Sequence, residues 1–195
     1  MPRSQTAVAT VKCIDFLPRY LGPMVELGEE RFGEKYTSKS KLRSYIEKKD
    51  NICKLAVDAE DDRLLGFFLM HGTSVSGLSK EFKLSTAEIK SIVGDNKKIC
   101  VAKSLVLQKD VEKAGIATKL VQKGLEKAKA KGFYSCWSPL WIRKDGLIPA
   151  QNVIERMGFT FYKVVHMLWV DDKDYKCIDC KGPCKCDAAV YYKIL

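Results

Sequence analysis

Apolar residues along the chain recur with two different spacings, and each spacing predicts one kind of element. Short runs rich in β-branched and aromatic residues predict strands, and the clearest are NICKLAVDAE, RLLGFFLMHG and KKICVAKSLVLQKD. Apolar positions three or four residues apart predict helices, as in GIATKLVQKGLEKAKAKG, where Ile116, Leu120 and Val121 share one face. The predicted order is β-α-α-β-β-(α)-β-α-β-α-β-β, with one helix within residues 77–95. Such alternation predicts an α/β (α+β) fold in which helices flank a single mixed central β-sheet.

Length and composition fit one domain that spans residues 1–195. With 46% hydrophobic and 30% charged residues, the chain has the composition of an ordinary globular protein. The first residues, MPRSQTAVATVKCID, lack the apolar core of a signal peptide. No apolar run approaches the ~18 residues that a membrane-spanning helix needs. We therefore expect a cytoplasmic protein that does not enter a membrane.

The net charge of +10 is compatible with several classes of partner. It gives a general attraction to anions, it suits a phosphate-rich small ligand, and it suits nucleic acid through counterion release. The lysines are scattered along the chain and no arginine-rich tail is present. Charge alone therefore does not choose among these partners.

Four of the eight cysteines fall within ten residues, in the segment CIDCKGPCKC. In a chain without an export signal, such crowding indicates a metal site before it indicates disulfides. Zinc prefers four tetrahedral ligands and binds thiolates well, and four protein ligands leave no open position for water. The segment therefore predicts a structural zinc site, with free thiols, disulfides or an iron–sulfur centre as alternatives. The predicted ligands are Cys177, Cys180, Cys184 and Cys186.

The segment LVLQKDVEKAGIATKL joins a predicted buried strand to a long predicted helix. The start of a helix leaves backbone N–H groups without internal partners and carries partial positive charge, so it binds phosphate well. Gly115 removes the side chain where a ligand would approach the backbone, and Ala117 keeps the next such position small. On these grounds alone, a plain turn explains the glycine better than a ligand site does.

The residues from Glu112 to Ala117, with the strand before them and the helix after them, resemble the acyl-coenzyme A signature of the GNAT superfamily of N-acetyltransferases. That signature is Arg/Gln-x-x-Gly-x-Gly/Ala. Gly115 and Ala117 match it, whereas Glu112 replaces the basic or amide residue. The resemblance extends over roughly residues 7–170 and the final strand. It implies a GNAT-like acyl-CoA N-acyltransferase fold with the cysteine segment 177–186 inserted in the C-terminal hairpin.

The resemblance also implies which residues hold the coenzyme. The strand residues Leu105, Val106 and Leu107 would follow the pantetheine arm, and Ala150 would match the small residue of the family pattern Asn-x-x-Ala-x-x-x-Tyr. The pyrophosphate would lie against Glu112, Lys113, Ala114, Gly115, Ile116, Ala117 and Thr118.

The chain departs from the family at the residues that usually assist catalysis. The Asn and Tyr positions of the later pattern are Leu147 and Ile154, so the usual general acid is absent from its usual position. The central strand offers Lys103 and Ser104 but no carboxylate, and the next strand offers Cys136 and Ser138 near the expected acceptor position. We therefore assign no catalytic residue from the sequence.

These observations predict an acyltransferase that passes acetyl from acetyl-CoA to an amine of an unknown acceptor, which is a small molecule or a protein. One alternative is a noncatalytic acyl-CoA-binding or protein-docking module of the same fold. The other is a basic, zinc-containing nucleic-acid-binding protein, which the scattered charge favours less.

Overall fold

The structure is a computed structural model that describes residues 10–112 and 114–195. Its strands are β1 Val11–Asp15, β2 Ile52–Asp58, β3 Leu64–Thr73, β4 Ile99–Leu107, β5 Ser135–Trp141, β6 Thr160–Val165, β7 Lys176–Cys177, β8 Gly182–Pro183 and β9 Ala188–Ile194. Its α-helices are α1 Leu21–Phe32, α2 Lys39–Ile46, α3 Val75–Phe82, α4 Thr86–Val93, α5 Ile116–Ala130 and α6 Gln151–Arg156.

A seven-stranded sheet in the order β1-β2-β3-β4-β5-β9-β6 forms the centre of the described residues. Strands β4 and β5 pair in parallel, whereas the other neighbours pair antiparallel. Alternate strand residues point to opposite faces. On β4, Val101 packs with α3 and α4 on one face, and Ala102 packs with α5 and α6 on the other. The mixed sheet flanked by helices confirms the predicted fold.

Residues 77–95 contain two helices, so the prediction of one helix there is wrong. Lys83 adopts the left-handed conformation, with φ of 54°, and ends α3. Ser85 then begins α4 with a capping box, because its side chain accepts a hydrogen bond from Glu88 N and the Glu88 carboxylate accepts one from Ser85 N. The apolar spacing continues across this break, which is why the pattern alone does not separate the two helices.

The carboxylate of Glu88 gives a stability that depends on pH. Its ion pair with Lys163 on β6, together with the hydrogen bonds from Ser85, lowers the pKa of Glu88 from 4.5 to about 2. Because the pKa of Glu88 is lower in the folded than in the unfolded state, its ionised carboxylate stabilises the fold at pH values above 4.5. This contribution is lost as the pH falls from 4.5 towards 2.

We therefore expect Glu88→Gln to lower the free energy of unfolding at pH 7, and this deficit to shrink as the pH falls below 4.5. Urea unfolding of both proteins at several pH values measures the difference. A deficit that is the same at pH 7 and pH 3 would show that the ion pair with Lys163 does not act on the carboxylate's ionisation.

Strand β6 pairs directly with β9, and the connection between them, residues 166–187, carries the four clustered cysteines and the short β7–β8 pair. The assignment of residues 1–195 to one domain stays an interpretation, and residues 1–9 lie outside the described residues. Across residues 10–112 and 114–195, every helix is too short or too polar to span a membrane.

Candidate functional site

Strands β4 and β5 separate halfway along their length. Their pairing extends only from Ile99 opposite Ser135 to Val101 opposite Trp137, although β4 continues to Leu107. Just beyond the last pair, the Ser138 hydroxyl donates to the Ala102 carbonyl oxygen at 3.3 Å. The later half of β4 is therefore bonded to β3 on one side and faces a gap on the other.

The backbone of Leu105 and Leu107 faces this gap. Gln108 N donates to Leu65 O at 2.9 Å, so the backbone groups of Gln108 turn towards β3. Because backbone direction alternates along an antiparallel strand, the N–H and C=O groups of Leu105 and Leu107 turn away from β3. Between them, the buried Val106 side chain packs against α1 and α2. This geometry suits a ligand that adds to β4 as a strand would, and the assignment of these residues to a pantetheine arm stays a prediction.

The N-terminus of α5 follows the end of β4, the strand that lines this gap. Gly115 is the N-cap in the left-handed conformation, with φ of 78° and ψ of 0°, and among the described residues beyond its chain neighbours no atom lies within 4 Å of the place where its Cβ would be. Lys119 N donates to Gly115 O at 3.2 Å as the first bond of the helix. The N–H groups of residues 116–118 precede that bond and have no partner within the helix. Within the described residues, no side chain beyond the neighbouring positions fills the space next to Gly115, so an anion can approach these backbone donors from that side.

The side chains around this helix start divide into anchors and open positions. Ile116 is buried and fixes the first turn against the core on the α5 face, whereas Ala114 is exposed and Ala117 and Thr118 are half-buried. Lys113 lies outside the described residues. The assignment of residues 112–118 to a pyrophosphate stays a prediction.

Glu112, which departs from the resembled signature, forms an ion pair with Arg31 in the last turn of α1. A second ion pair attaches the same loop to the β2–β3 turn, because Arg63 Nη1 lies 3.0 Å from Asp110 Oδ2. The loop before α5 is thus attached to α1 and to the β2–β3 turn through its acidic residues.

The positions of the family pattern Asn-x-x-Ala-x-x-x-Tyr lie on α6 and in the loop before it, and the assignment of Ala150 to the coenzyme stays a prediction. Ala150 is the half-buried N-cap of α6, and Ile154, one turn later, is 1% exposed in the core. Leu147 is 55% exposed in the loop before α6. Cys136, which the sequence places near the expected acceptor position, is fully buried on the α5 face, where burial raises its pKa well above 9 and keeps the thiol neutral.

The opposite face of the sheet brings Ser104, which the sequence singled out, together with Tyr36, which it did not. In β4, Leu69 pairs with Ser104 but Met70 pairs with Ala102, so Lys103 is the extra residue of a β-bulge. The Ser104 hydroxyl turns to this face and hydrogen-bonds to the hydroxyl of Tyr36 from the α1–α2 loop. Burial of that hydroxyl raises the pKa of Tyr36 to about 12, so the phenol stays protonated at neutral pH.

A second set of groups lies next to the bulge. The Tyr45 hydroxyl is hydrogen-bonded to His71 Nδ1 at 3.1 Å, and His71 Nε2 lies 2.9 Å from Glu81 Oε2. The Lys103 ammonium nitrogen lies 5.0 Å from the centre of the Tyr45 ring. Burial removes part of the hydration of this ammonium group and lowers the pKa of Lys103. Tyr45 and His71 thus form a hydrogen-bonded chain of titratable groups that connects the neighbourhood of the bulge to the exposed Glu81. His71 had no sequence signal beyond its place in an apolar strand.

The four clustered cysteines come together in the structure. Their sulfur atoms all lie within 4.8 Å of one another, with 3.9 Å between Cys177 and Cys186 and 3.5 Å between Cys180 and Cys186. Tetrahedral zinc with Zn–S bonds of about 2.3 Å needs sulfur atoms about 3.8 Å apart. Lys185 N donates to Cys180 Sγ at 3.4 Å. This geometry fits a metal bound by four thiolates.

The surroundings of the cysteines also fit such a site. Trp141 packs against the three buried cysteines, and its indole N–H is buried without a hydrogen-bond partner among the described residues. A metal-bound thiolate is a suitable acceptor for such a donor, as outer hydrogen bonds commonly support metal ligands. Arg143 holds Asp179, between the first two cysteines, through two hydrogen bonds of 3.3 and 3.0 Å.

The cysteine hairpin is bonded to the α1–α2 loop. Ile178 N donates to Phe32 O and Lys176 N donates to Glu34 O, both at 3.0 Å. Between these bonds, a Cβ on Gly33 would lie 2.0 Å from Lys176 O, so only glycine allows this approach. The hairpin therefore fixes the loop that carries Tyr36.

The sequence profile of the acetyltransferase (GNAT) family matches residues 23–159, well over half of the chain. The chain belongs to that family. No curated protein matches the chain. The family match covers the gap between β4 and β5, the open start of α5 and the groups at the bulge, and it ends before the cysteine hairpin.

Solved structures of GNAT-type enzymes share the fold at low identity. Arabidopsis thaliana NAA60 in complex with acetyl-CoA has a TM-score of 0.70 and 14% identity, covering 95% of this chain and 99% of that one. The ribosomal-protein-S18-alanine N-acetyltransferase from Escherichia coli has a TM-score of 0.63 and 11% identity, covering 95% and 94%. The mosquito arylalkylamine N-acetyltransferase like 5b has a TM-score of 0.65 and 13% identity, covering 95% and 100%.

Proposed function

We propose that this protein transfers an acetyl group from acetyl-CoA to an amine. The observation that carries the proposal is the open N-terminus of α5 at Gly115, directly beside the gap between β4 and β5. In this proposal, the free N–H groups of residues 116–118 bind the diphosphate and the backbone of Leu105 and Leu107 pairs with the pantetheine arm. Membership of the acetyltransferase family and the similarity to NAA60 in complex with acetyl-CoA support the choice of thioester.

The reaction needs a neutral amine, which attacks the thioester carbonyl carbon. The carbon–sulfur bond breaks, the amine loses a proton, and the released thiolate gains one. We propose that the acceptor approaches from the face with the β4 bulge, where Tyr36 and Ser104 offer hydroxyl groups and Tyr45 is linked through His71 to the exposed Glu81. A positioned acid or base of this kind typically speeds such a step by about 10²–10⁴.

The acceptor is an amine of a peptide, a protein or a small molecule. The structural neighbours include a ribosomal-protein-S18-alanine N-acetyltransferase and an arylalkylamine N-acetyltransferase, so both kinds of acceptor occur on this fold. Acceptor specificity depends on loops rather than on the shared sheet, and here the α1–α2 loop is fixed by the cysteine hairpin.

Release of free thiol from acetyl-CoA tests the proposal. We expect release above the rate without protein when a suitable amine is present, in a panel of peptides with free N-termini, lysine peptides, polyamines and arylalkylamines. Turnover should be lost in Tyr36→Phe or His71→Gln if these residues assist the proton transfers. Binding of acetyl-CoA without turnover by any amine would favour the noncatalytic module, and absence of binding would reject both.

We further propose that Cys177, Cys180, Cys184 and Cys186 bind a structural zinc ion. The mutual distances of the sulfur atoms, the burial of three of the cysteines and the unpartnered indole of Trp141 support this assignment. Four thiolates complete the tetrahedral coordination, so the ion would stabilise the hairpin and take no part in acetyl transfer. Cysteines that bind a metal as thiolates, rather than forming disulfides, suit a reducing compartment such as the cytoplasm.

A further inference from the structure

The loop before α5 carries a negative charge where the GNAT signature has a basic or amide residue. Glu112 stands at that position, directly before the helix start that we propose for the diphosphate. A lone carboxylate there would repel the diphosphate, because like charges a few ångströms apart near a protein surface repel one another appreciably. The proposed site therefore needs a compensating cation.

Arg31 is such a cation, and it comes from a different part of the fold. It lies in the last turn of α1, and its guanidinium group pairs with Glu112 Oε1. The end of a helix carries partial negative charge, so an arginine is favoured there. The Arg31 side chain is 24% exposed and the Glu112 side chain is 45% exposed, so the pair is accessible to a ligand but partly shielded from water.

A guanidinium group can bind a carboxylate and a phosphate together. It has five N–H donors in a fixed plane, and a single carboxylate uses at most two of them in a paired geometry. With Glu112 bound, the remaining donors stay available to an anion at the start of α5. The ion pair thus cancels the misplaced negative charge and adds hydrogen-bond donors.

We infer that Arg31 supplies from α1 the positive charge that the first position of the signature lacks, and that it binds the coenzyme A diphosphate alongside Glu112. The inference rests on the proposed function and adds a binding residue that lies outside the signature. It also explains how the site tolerates Glu112, since the guanidinium group neutralises the carboxylate.

The chain contains a matched control for this ion pair. Arg63 pairs with Asp110 in the same loop, with a 3.0 Å distance and side-chain exposures of 43% and 58%. Asp110 precedes the signature and is bonded towards the β2–β3 turn. Loss of Arg63 therefore removes an ion pair from the loop without leaving a carboxylate at the signature position.

The test compares Arg31→Gln, Glu112→Gln, the double variant and Arg63→Gln in titrations with acetyl-CoA and with S-acetylpantetheine, which lacks the diphosphate. We expect Arg31→Gln to weaken acetyl-CoA binding about tenfold or more, as befits loss of a hydrogen bond to a charged group. Binding of S-acetylpantetheine should be unchanged. Glu112→Gln should bind acetyl-CoA at least as tightly as the wild type, and Arg63→Gln should have little effect. The double variant should recover only the part of the loss that comes from the unpaired Glu112 carboxylate.

The outcomes separate this inference from the proposed function. Equal affinities for Arg31→Gln and Arg63→Gln would overturn the inference while the proposed function stands. Equal weakening of both ligands by Arg31→Gln would also overturn it, because that result indicates a structural role for the ion pair. If Arg31→Gln fails to fold, Arg31→Lys replaces it, and we then expect a smaller loss confined to acetyl-CoA. A wild type that binds no acetyl-CoA would reject the proposed function and the inference together.

Discussion

Replacement of Cys184 by serine is expected to release the metal and destabilise the protein strongly. Cys184 is 1% exposed, and its sulfur is one of four within 4.8 Å of one another. Structural zinc contributes a large binding free energy to folding, so loss of one ligand should cost several kcal/mol. For a chain of this size, a loss of about 4 kcal/mol lowers the melting temperature by roughly 8–16 °C.

Elemental analysis and thermal unfolding of the same preparation measure this effect. We expect about one zinc ion per wild-type chain, as four thiolates bind one ion, and almost none in Cys184→Ser. Cys13→Ser is the control, since Cys13 is a partly buried free thiol remote in sequence from the cluster and should keep both the zinc content and most of the stability. A wild-type protein that contains no metal as purified, and whose melting temperature does not change with a chelator, would contradict the metal assignment. Iron in place of zinc would change the identity of the bound metal.

The same substitution should loosen the α1–α2 loop. Amide protons of Ile178 and Lys176 are bonded to Phe32 and Glu34, so their protection from hydrogen exchange reports on the contact between hairpin and loop. We expect that protection to be lost in Cys184→Ser while the strands of the central sheet stay protected. Because the loop carries Tyr36, a metal far from the coenzyme would then influence the acceptor face.

Gly115→Val should abolish most of the binding of acetyl-CoA. In the part of the chain that the structure describes, no atom beyond the chain neighbours lies within 4 Å of the place for a Gly115 Cβ, so we expect a valine side chain to occupy the space next to the backbone donors. Losing two hydrogen bonds to a charged diphosphate would weaken binding about 100-fold or more. The left-handed conformation of residue 115 adds a strain of about 1–2 kcal/mol for a residue with a Cβ.

Gly132→Val provides the matched control for that strain. Gly132 follows the other end of α5 and has φ of 76° against 78° for Gly115, and no atom of residues 10–112 and 114–195, its chain neighbours aside, lies within 4 Å of its Cβ position. The two variants should therefore lose similar stability, as judged by urea unfolding, but only Gly115→Val should lose affinity for acetyl-CoA in calorimetry. Equal affinities of the two variants would show that the helix start does not contact the ligand.

Much of the fold could be predicted because most helices and strands show a clear local pattern of apolar residues. The apolar face of α5, which includes Leu120 and Val121, and the β-rich run of β4 gave both the element types and their order. The prediction failed at residues 77–95, where a single left-handed residue, Lys83, separates two helices with continuous apolar spacing. Backbone conformation at one residue leaves little trace in hydrophobic periodicity.

The candidate site was predictable where it depends on neighbouring residues and hidden where it depends on tertiary contacts. Gly115 and the residues around it form one contiguous segment, as do the four cysteines. By contrast, Tyr36 and Ser104 are in contact although 68 positions separate them in the sequence, and Arg31 and Glu112 are in contact although 81 positions separate them. The β-bulge that turns Ser104 to the acceptor face arises from the pairing of β4 with β3, which no local pattern encodes.

Backbone amide chemical shifts during a titration with acetyl-CoA test the central claim most directly. If the main-chain N–H groups at the start of α5 hold the diphosphate, the amides of residues 115–118 should show the largest shifts and saturate together. They should move little when S-acetylpantetheine is used. Saturable binding that shifts other amides and leaves these four unmoved would contradict the account, as would the absence of any shift.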